Sequence, residues 1–101
     1  MPAVPLGSAR DLPAGRMRAA KAGDRDILVA NLDGSFFAIG NICTHRGCRL
    51  SGGILRAGTV QCPCHGSTFD LRTGNVVRGP AREAEPSYPV KVEGDDLWVE
   101  V

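Results

Sequence analysis

All four cysteines and both histidines of the chain lie in two short stretches, Cys43-Thr44-His45-Arg46-Gly47-Cys48 and Cys62-Pro63-Cys64-His65-Gly66-Ser67. Thiolate and imidazole are the side chains that bind zinc and the softer forms of iron in proteins. Packing alone gives no reason to collect these side chains in two similar loops. The sequence therefore predicts a metal site formed by the two loops.

Each stretch offers one cysteine and one histidine at close spacing, Cys43-x-His45 in the first and Cys62-x-x-His65 in the second. This spacing lets two side chains of one turn converge on a small centre, whereas a common zinc finger pairs like ligands with like. A 2Fe–2S cluster in which histidines replace the cysteines of one iron needs such a mixed set. A zinc site with the same ligands stays open, as does a secreted disulfide scaffold, which leaves the histidines unexplained.

The length and charge of the chain exclude several classes of function. A chain of 101 residues is one domain by size, and a core this small favours an additional covalent or metal staple. Basic and acidic residues nearly balance at a formal net charge of +1, so bulk charge gives no support for a polyanion partner, and we expect no nucleic acid.

No segment of the sequence has the length and apolarity needed to cross a bilayer. The first twenty residues are interrupted by prolines and charges and do not resemble a signal peptide. We therefore expect a soluble, cytoplasmic protein without a membrane span.

Thirteen glycines, seven prolines and the lack of a 3.6-residue apolar period predict an all-β fold of short strands and turns. The clearest element is a hairpin of residues 26–32 and 35–40, joined by Asp33-Gly34, which suits the positive φ angles of a tight turn. This hairpin leads directly into the first cysteine loop. We expect further strands at residues 4–9, 16–20, 59–61, 68–71 and 75–77, and a closing hairpin of 88–93 and 97–101 in which Leu97, Val99 and Val101 face the core.

The paired motifs Cys43-x-His45-x-x-Cys48 and Cys62-x-Cys64-His65-Gly66-Ser67 resemble those of the Rieske iron–sulfur family. This resemblance implies that Cys43 and Cys62 bind one iron of a single 2Fe–2S cluster, and that His45 and His65 bind the other. It also implies a disulfide between Cys48 and Cys64, as in the branch of the family found in quinol-oxidising, cytochrome bc-type complexes.

The resemblance extends to the fold and to residues around the cluster. It implies an antiparallel β-sandwich over residues 1–101, with a base of about 1–40 and 76–101 and a cluster-binding subdomain of about 41–75. The segment Gly79-Pro80-Ala81 resembles the family's proline loop, which covers the cluster from a third side. Leu50 is expected to pack under the first loop and shield the cluster.

Two residues are expected to set the reduction potential. Ser67 stands where the family places a hydroxyl that donates to a bridging sulfide, and Phe69 stands where high-potential members carry a tyrosine. Because hydrogen bonds to cluster sulfurs raise the potential, keeping one donor and lacking the other predicts an intermediate value within roughly −150 to +300 mV.

The resemblance implies a monomeric, one-electron carrier rather than an enzyme, a Rieske ferredoxin that passes electrons from a reductase to an oxygenase or a similar acceptor. Arg46 and Arg49, in and beside the first loop, are predicted to contact these redox partners. Two alternatives stay open. One is a subunit or cluster domain of a larger quinol-oxidising or nitrite-reducing oxidoreductase, and the other is a zinc-stabilised binding module.

Overall fold

Short runs of β-branched and aliphatic residues, separated by glycine turns, produce a fold built from strands. The computed structural model describes residues 3–44, 47–64 and 66–101. Its strands are β1 Ala3–Ser8, β2 Met17–Ala22, β3 Arg25–Leu32, β4 Ser35–Gly40, β5 Ile54–Arg56, β6 Thr59–Gln61, β7 Thr68–Asp70, β8 Val76–Arg78, β9 Ser87–Tyr88, β10 Val90–Glu93 and β11 Asp96–Glu100. All their pairings are antiparallel, which confirms the all-β prediction.

Helical structure in the described part of the chain is limited to two three-residue 3₁₀ turns, Ala9–Asp11 and Leu50–Gly52. No helix of that part is long and apolar enough to span a membrane.

The central sheet has the strand order β2-β3-β4-β9 and contains the predicted hairpin. Strands β3 and β4 pair from Leu32 and Ser35 at the turn to Ile27 and Gly40 at the far end. Asp33 and Gly34 have φ angles of 55° and 93°, as the tight turn requires. The hairpin thus delivers the chain at Gly40 to the first cysteine loop, as the sequence predicts.

Strand β3 is buried on both faces and divides the hydrophobic interior in two. Ile27 and Val29 pack into a core beneath the base sheet, which has the order β1-β11-β10. Leu28 and Ala30, which alternate with them, pack into a second core that contains Cys43 and Cys62. The central sheet therefore supports the cysteine loops on one face and the base sheet on the other.

The closing hairpin forms as predicted, except at its start. Leu97 and Val99 are fully buried, and Trp98 between them is half-buried on the opposite face. Val101 follows the last strand and is half-buried against the same core. Tyr88, predicted to begin this hairpin, instead pairs with Ala38 in the central sheet.

A third sheet, of order β5-β6-β7-β8, carries the second cysteine loop between β6 and β7. Strand β5 has no counterpart among the sequence predictions. Val76–Arg78, placed in the base by the predicted boundary at residue 75, pairs with Thr68–Asp70 in this sheet. The small sheet therefore runs on to Arg78.

Candidate metal centre

The first cysteine loop is a turn closed by backbone hydrogen bonds. The Cys43 N–H donates to the Cys48 carbonyl at 2.8 Å, and the Gly47 N–H donates to the Cys43 carbonyl at 2.9 Å. Gly47 has a φ of 76°, a conformation that favours glycine. Outside the turn, Ile42 and Arg49 form an isolated antiparallel bridge. The sequence therefore forms a tight loop at the end of β4.

The second loop repeats this geometry. The Cys62 N–H donates to the Ser67 carbonyl at 2.7 Å, and the Gly66 N–H donates to the Cys62 carbonyl at 3.2 Å. Gly66 has a φ of 79°, close to that of the corresponding glycine in the first loop. Each loop thus begins with a cysteine followed four residues later by a left-handed glycine, so Cys43 and Cys62 occupy equivalent positions.

The structure brings Cys43 and Cys62 into one core cluster, with 2 % and 3 % of their surfaces exposed. Leu50 and Phe69 belong to the same cluster and are fully buried. Leu50 therefore packs beneath the loops. The predicted positions His45, Arg46 and His65 lie outside the described residues.

A disulfide joins the two loops between Cys48 and Cys64, whose Cα atoms are 6.4 Å apart. This is the pairing that the resemblance implies. The sulfurs of Cys48, Cys62 and Cys64 all lie within 4.8 Å of one another. Two of these sulfurs are bonded to each other, whereas Cys62 is not part of the disulfide.

The segment after β8 closes on the second loop. The Ala81 N–H donates to Ser67 Oγ at 3.0 Å, and both residues are buried. Gly79 and Pro80, which precede Ala81, are exposed. Because the Ser67 oxygen accepts this hydrogen bond, its own hydroxyl hydrogen remains for an acceptor elsewhere in the site.

Glu85 contributes to the first loop and was missed by the sequence analysis. Its side chain is buried, and the Thr44 backbone N–H donates to its carboxylate. The Thr44 hydroxyl also donates to the Glu83 carbonyl at 2.7 Å, so residues 83–85 hold the loop at two points. Burial raises the pKa of Glu85 from 4.5 to about 7, against the lowering effect of the Thr44 hydrogen bond.

Glycine makes room for this carboxylate. A Cβ at Gly40 would lie 2.5 Å from Glu85 Oε1, closer than non-bonded atoms approach. The Glu85 N–H donates to the Gly74 carbonyl at 2.8 Å, which fixes the backbone of the segment. The sequence signal was therefore a glycine at the end of β4 together with the Glu85-Pro86 pair, two features that are far apart in the chain.

Arg49, predicted to contact partners, has a side chain that is 64 % exposed. Its Nη2 atom lies 3.9 Å from Asp26 Oδ2, and Lys21 Nζ lies 3.6 Å from the same oxygen. These are surface ion pairs of small energetic value, so the guanidinium is available to a partner.

The described residues fit an iron–sulfur group. Each matched turn places one buried cysteine in the same core, so the site provides one sulfur from each loop. The buried Ser67 hydroxyl, with its hydrogen uncommitted to Ala81, provides a donor suited to a sulfide. Leu50 and Phe69 provide an apolar wall that excludes water.

Known proteins match the chain over nearly its full length. The sequence profile of the Rieske [2Fe-2S] domain family matches residues 3–89. The ferredoxin component of biphenyl 2,3-dioxygenase from Rhodococcus jostii is 38% identical over 93% of this chain and 88% of that protein.

Two solved structures share the fold. The ferredoxin of carbazole 1,9a-dioxygenase from Nocardioides aromaticivorans superposes with a TM-score of 0.94 at 28% identity, covering 98% of this chain and 97% of that one. A Mycobacterium tuberculosis protein assigned as the small subunit of an NADH-dependent nitrite reductase superposes with a TM-score of 0.85 at 27% identity, covering 97% and 93%.

Proposed function

Because this chain belongs to the Rieske [2Fe-2S] domain family, it carries a 2Fe–2S cluster and transfers single electrons, and we propose that it delivers them to an oxygenase. The observation that carries this proposal is the match to ferredoxins of dioxygenase systems, which covers between 88% and 98% of each chain. We propose a separate reductase as its electron donor and a monomer as the working form.

We propose that Cys43 and Cys62 hold one iron and that His45 and His65 hold the other. The equivalent, buried positions of the two cysteines support this assignment. The cluster supplies a one-electron couple whose potential rises when neutral imidazoles replace anionic thiolates. The protein binds it at two loops, and Leu50 and Phe69 keep water from its inner side.

We assign the loops to the disulfide-containing kind, related to those of quinol-oxidising complexes, on the basis of the Cys48–Cys64 bond. The Ser67 hydroxyl donates to the cluster sulfide in this proposal, while Phe69 has no hydroxyl to donate. Serine and tyrosine hydroxyls that donate hydrogen bonds to cluster sulfurs raise the reduction potential, and this chain has only the serine. We therefore expect its potential to lie above that of ferredoxins that lack both hydroxyls and below that of proteins that have both.

We propose that the single domain of residues 1–101 divides into a base of about 1–40 and 76–101 and a cluster-binding part of about 41–75. The end of β4 at Gly40 supports the first boundary. Arg46 and the exposed Arg49 are the proposed partner contacts nearest the first loop. We further propose a cytoplasmic location, which cell fractionation with an antibody to the chain tests.

The decisive experiment is an EPR-monitored redox titration of the purified holoprotein, repeated over a range of pH. The proposal expects a one-electron couple of intermediate potential that becomes pH-dependent in alkaline solution, because oxidised clusters acidify their imidazole ligands. A zinc protein without iron or sulfide would overturn it. Stopped-flow mixing of the reduced protein with purified dioxygenase oxygenases then measures delivery directly.

The second candidate is a small subunit of a nitrite-reducing enzyme, favoured by the likeness to the Mycobacterium tuberculosis protein. A subunit remains bound to its large partner, whereas a carrier dissociates between electron transfers. Size-exclusion chromatography of the native protein from its own cells separates the two. A stable complex with a larger, co-eluting nitrite-reducing protein would favour the subunit.

A further inference from the structure

The balanced charge of the chain conceals a strong segregation along it. Residues 41–82 contain one acidic residue, Asp70, and six arginines, which gives a formal charge of +5. The rest of the chain contains six basic and ten acidic residues, a formal charge of −4. The arginines of this segment are Arg46, Arg49, Arg56, Arg72, Arg78 and Arg82.

Two of these arginines share the outer face of the small sheet with exposed aliphatic side chains. Ile54 and Val77 have 55% and 59% of their surfaces exposed. Together with Arg56 and Arg78 they line an open groove of about 260 Å³, whose floor includes Gln61. Each edge strand of this sheet therefore presents one aliphatic and one arginine side chain to the groove, and Thr59, Gln61 and Thr68 of the two inner strands lie between them.

The groove continues to the second cysteine loop. Ile54 and Gln61 also line the adjacent depression, whose other wall is formed by Cys62, Pro63 and Gly66. A partner seated in the groove therefore reaches the loop that holds a cluster ligand. Short distances between redox centres are what a transient electron-transfer complex requires.

Neither arginine of the groove is neutralised within the protein. Arg56 and Arg78 are exposed and form no ion pair with any carboxylate of the described residues. Arg72 is different, because its guanidinium lies 5.6 Å from the centre of the Phe37 ring and is not among the residues that line the groove. On the loop side, Arg82 lines a separate depression that also contains Glu83.

We propose that this arginine face, formed by Ile54, Arg56, Val77 and Arg78, docks a redox partner protein through an acidic surface of that partner. The proposal rests on the electron-carrier function above and adds the sign of the partner's charge and the place where it binds. Opposite charge steers transient partners together, and protein interfaces commonly combine exposed apolar side chains with arginine, as this face does at both edges of the sheet.

A nucleic acid would also be attracted by positive charge, but the exposed aliphatic pair disfavours it. Phosphate contacts are made by basic and polar groups, and unpaired bases stack on aromatic rings. The groove offers isoleucine and valine instead of an aromatic ring. A partner protein that offers acidic side chains to the arginines and apolar side chains to Ile54 and Val77 matches both features.

The test compares oxidation of the reduced holoprotein by an anion and by a cation. In each reaction the reduced cluster gives up one electron, which converts ferricyanide to ferrocyanide or tris(phenanthroline)cobalt(III) to its cobalt(II) form. We expect the ferricyanide rate to fall with ionic strength and the cobalt rate to rise. In the variant Arg56→Glu, Arg78→Glu, the ferricyanide rate should fall about tenfold or more.

The matched control is Arg10→Glu, Lys91→Glu, which changes the net charge equally but lies on the base. Arg10 has only an exposed ion pair with Asp95, and Lys91 lies on β10. This control should change the ferricyanide rate by less than about twofold, since salt screens distant charges. Equal effects of the two double variants would overturn the proposal, because net charge alone would then explain the rates.

Two further experiments distinguish a protein partner from a nucleic acid. An oxygenase that accepts electrons should lose about tenfold in second-order rate with the Arg56, Arg78 variant and little with the control. Protection of the cluster from ferricyanide by micromolar duplex DNA at physiological salt would assign the face to nucleic acid and overturn the proposal. Another outcome is that the oxygenase accepts no electrons while the ferricyanide and cobalt rates still respond to ionic strength in opposite directions. In that case the proposed delivery to an oxygenase is wrong, and the proposed basic docking face is still supported.

Discussion

The two cysteine loops have the same backbone turn but are supported in different ways. The second loop connects two adjacent strands of one sheet, β6 and β7, so backbone ladders hold both of its ends. The first loop leaves β4 and is followed by an isolated bridge and a 3₁₀ turn. Its support comes largely from side chains, including Thr44, Asn41 and Glu85.

This difference teaches that one loop geometry can be stabilised by local or by distant parts of the chain. Thr44 illustrates the second way, since its hydroxyl donates to the Glu83 carbonyl at 2.7 Å and its backbone N–H donates to the Glu85 carboxylate. Point substitutions should therefore loosen the first loop more readily than the second.

The largest effect is expected for the residues that the loops share. Cys43→Ser and Cys62→Ser should each abolish the cluster, because each removes one of the two sulfurs from the proposed iron. Iron and sulfide analysis and the visible spectrum measure this loss. A stable, full-occupancy cluster in either variant would show that the two cysteines are not equivalent.

The disulfide should contribute the next largest effect, because it is the covalent link between the loops. The cysteines are 16 residues apart, a loop whose closure is worth about 3 kcal/mol in the chain-entropy account. Cys48→Ser, Cys64→Ser should lower the free energy of unfolding of the apoprotein by that amount in urea.

Reduction of the wild-type apoprotein by dithiothreitol is the control for the disulfide. It should produce the same loss of stability without changing the sequence. An unchanged urea midpoint in both experiments would contradict the expected contribution.

Glu85 should make stability depend on pH through the first loop. Its pKa is raised in the folded protein, so between pH 4.5 and about 7 the folded state binds more protons than the unfolded state. The free energy of unfolding therefore falls as pH rises through this window, by up to about 3 kcal/mol. Below pH 4.5 this contribution is fully present.

Glu85→Gln should remove most of this slope, because the amide keeps an oxygen acceptor for Thr44 N–H but does not ionise. Glu83→Gln is the matched control, since Glu83 is exposed and contributes its backbone carbonyl. Urea denaturation at pH 5 and pH 8 measures both variants. An equal slope in wild type and Glu85→Gln would contradict the prediction.

The smallest effects are expected on the reduction potential, through the second loop. A hydrogen bond that is about 1–2 kcal/mol stronger in the reduced state raises a one-electron potential by about 40–90 mV. Ser67→Ala should lower the potential by this order, and Phe69→Tyr should raise it. Protein-film voltammetry measures both, and a shift of the opposite sign in either variant would contradict the proposed hydrogen bonds.

The sequence predicted the elements whose signals are local. The Asp33-Gly34 turn and the alternation around Leu97 and Val99 each lie within one hairpin, and both predictions are confirmed. Strand β5 was missed because its turn uses Ala57 at a φ of 50°, a residue that does not mark a turn in a sequence. Tyr88 was misplaced because Pro89, which interrupts a ladder, separates it from β10.

At the site, the resemblance of the two cysteine loops to the Rieske family implied the disulfide that joins them, and the structure contains it. Glu85 was missed because an acidic residue between alanine and proline in an exposed segment resembles a solvated charge, and its burial depends on Gly40 from another sheet strand. The basic groove was missed because acidic residues elsewhere in the chain balance its arginines, so the net charge of the whole chain is only +1.

The disulfide also bears on how the metal centre is assembled. The sulfurs of Cys48, Cys62 and Cys64 all lie within 4.8 Å of one another. Because Cys48 and Cys64 are bonded to each other, neither of their sulfurs is a thiolate that could bind iron, and one cysteine outside the disulfide is left in each loop. The disulfide therefore limits each loop to a single choice of cysteine ligand.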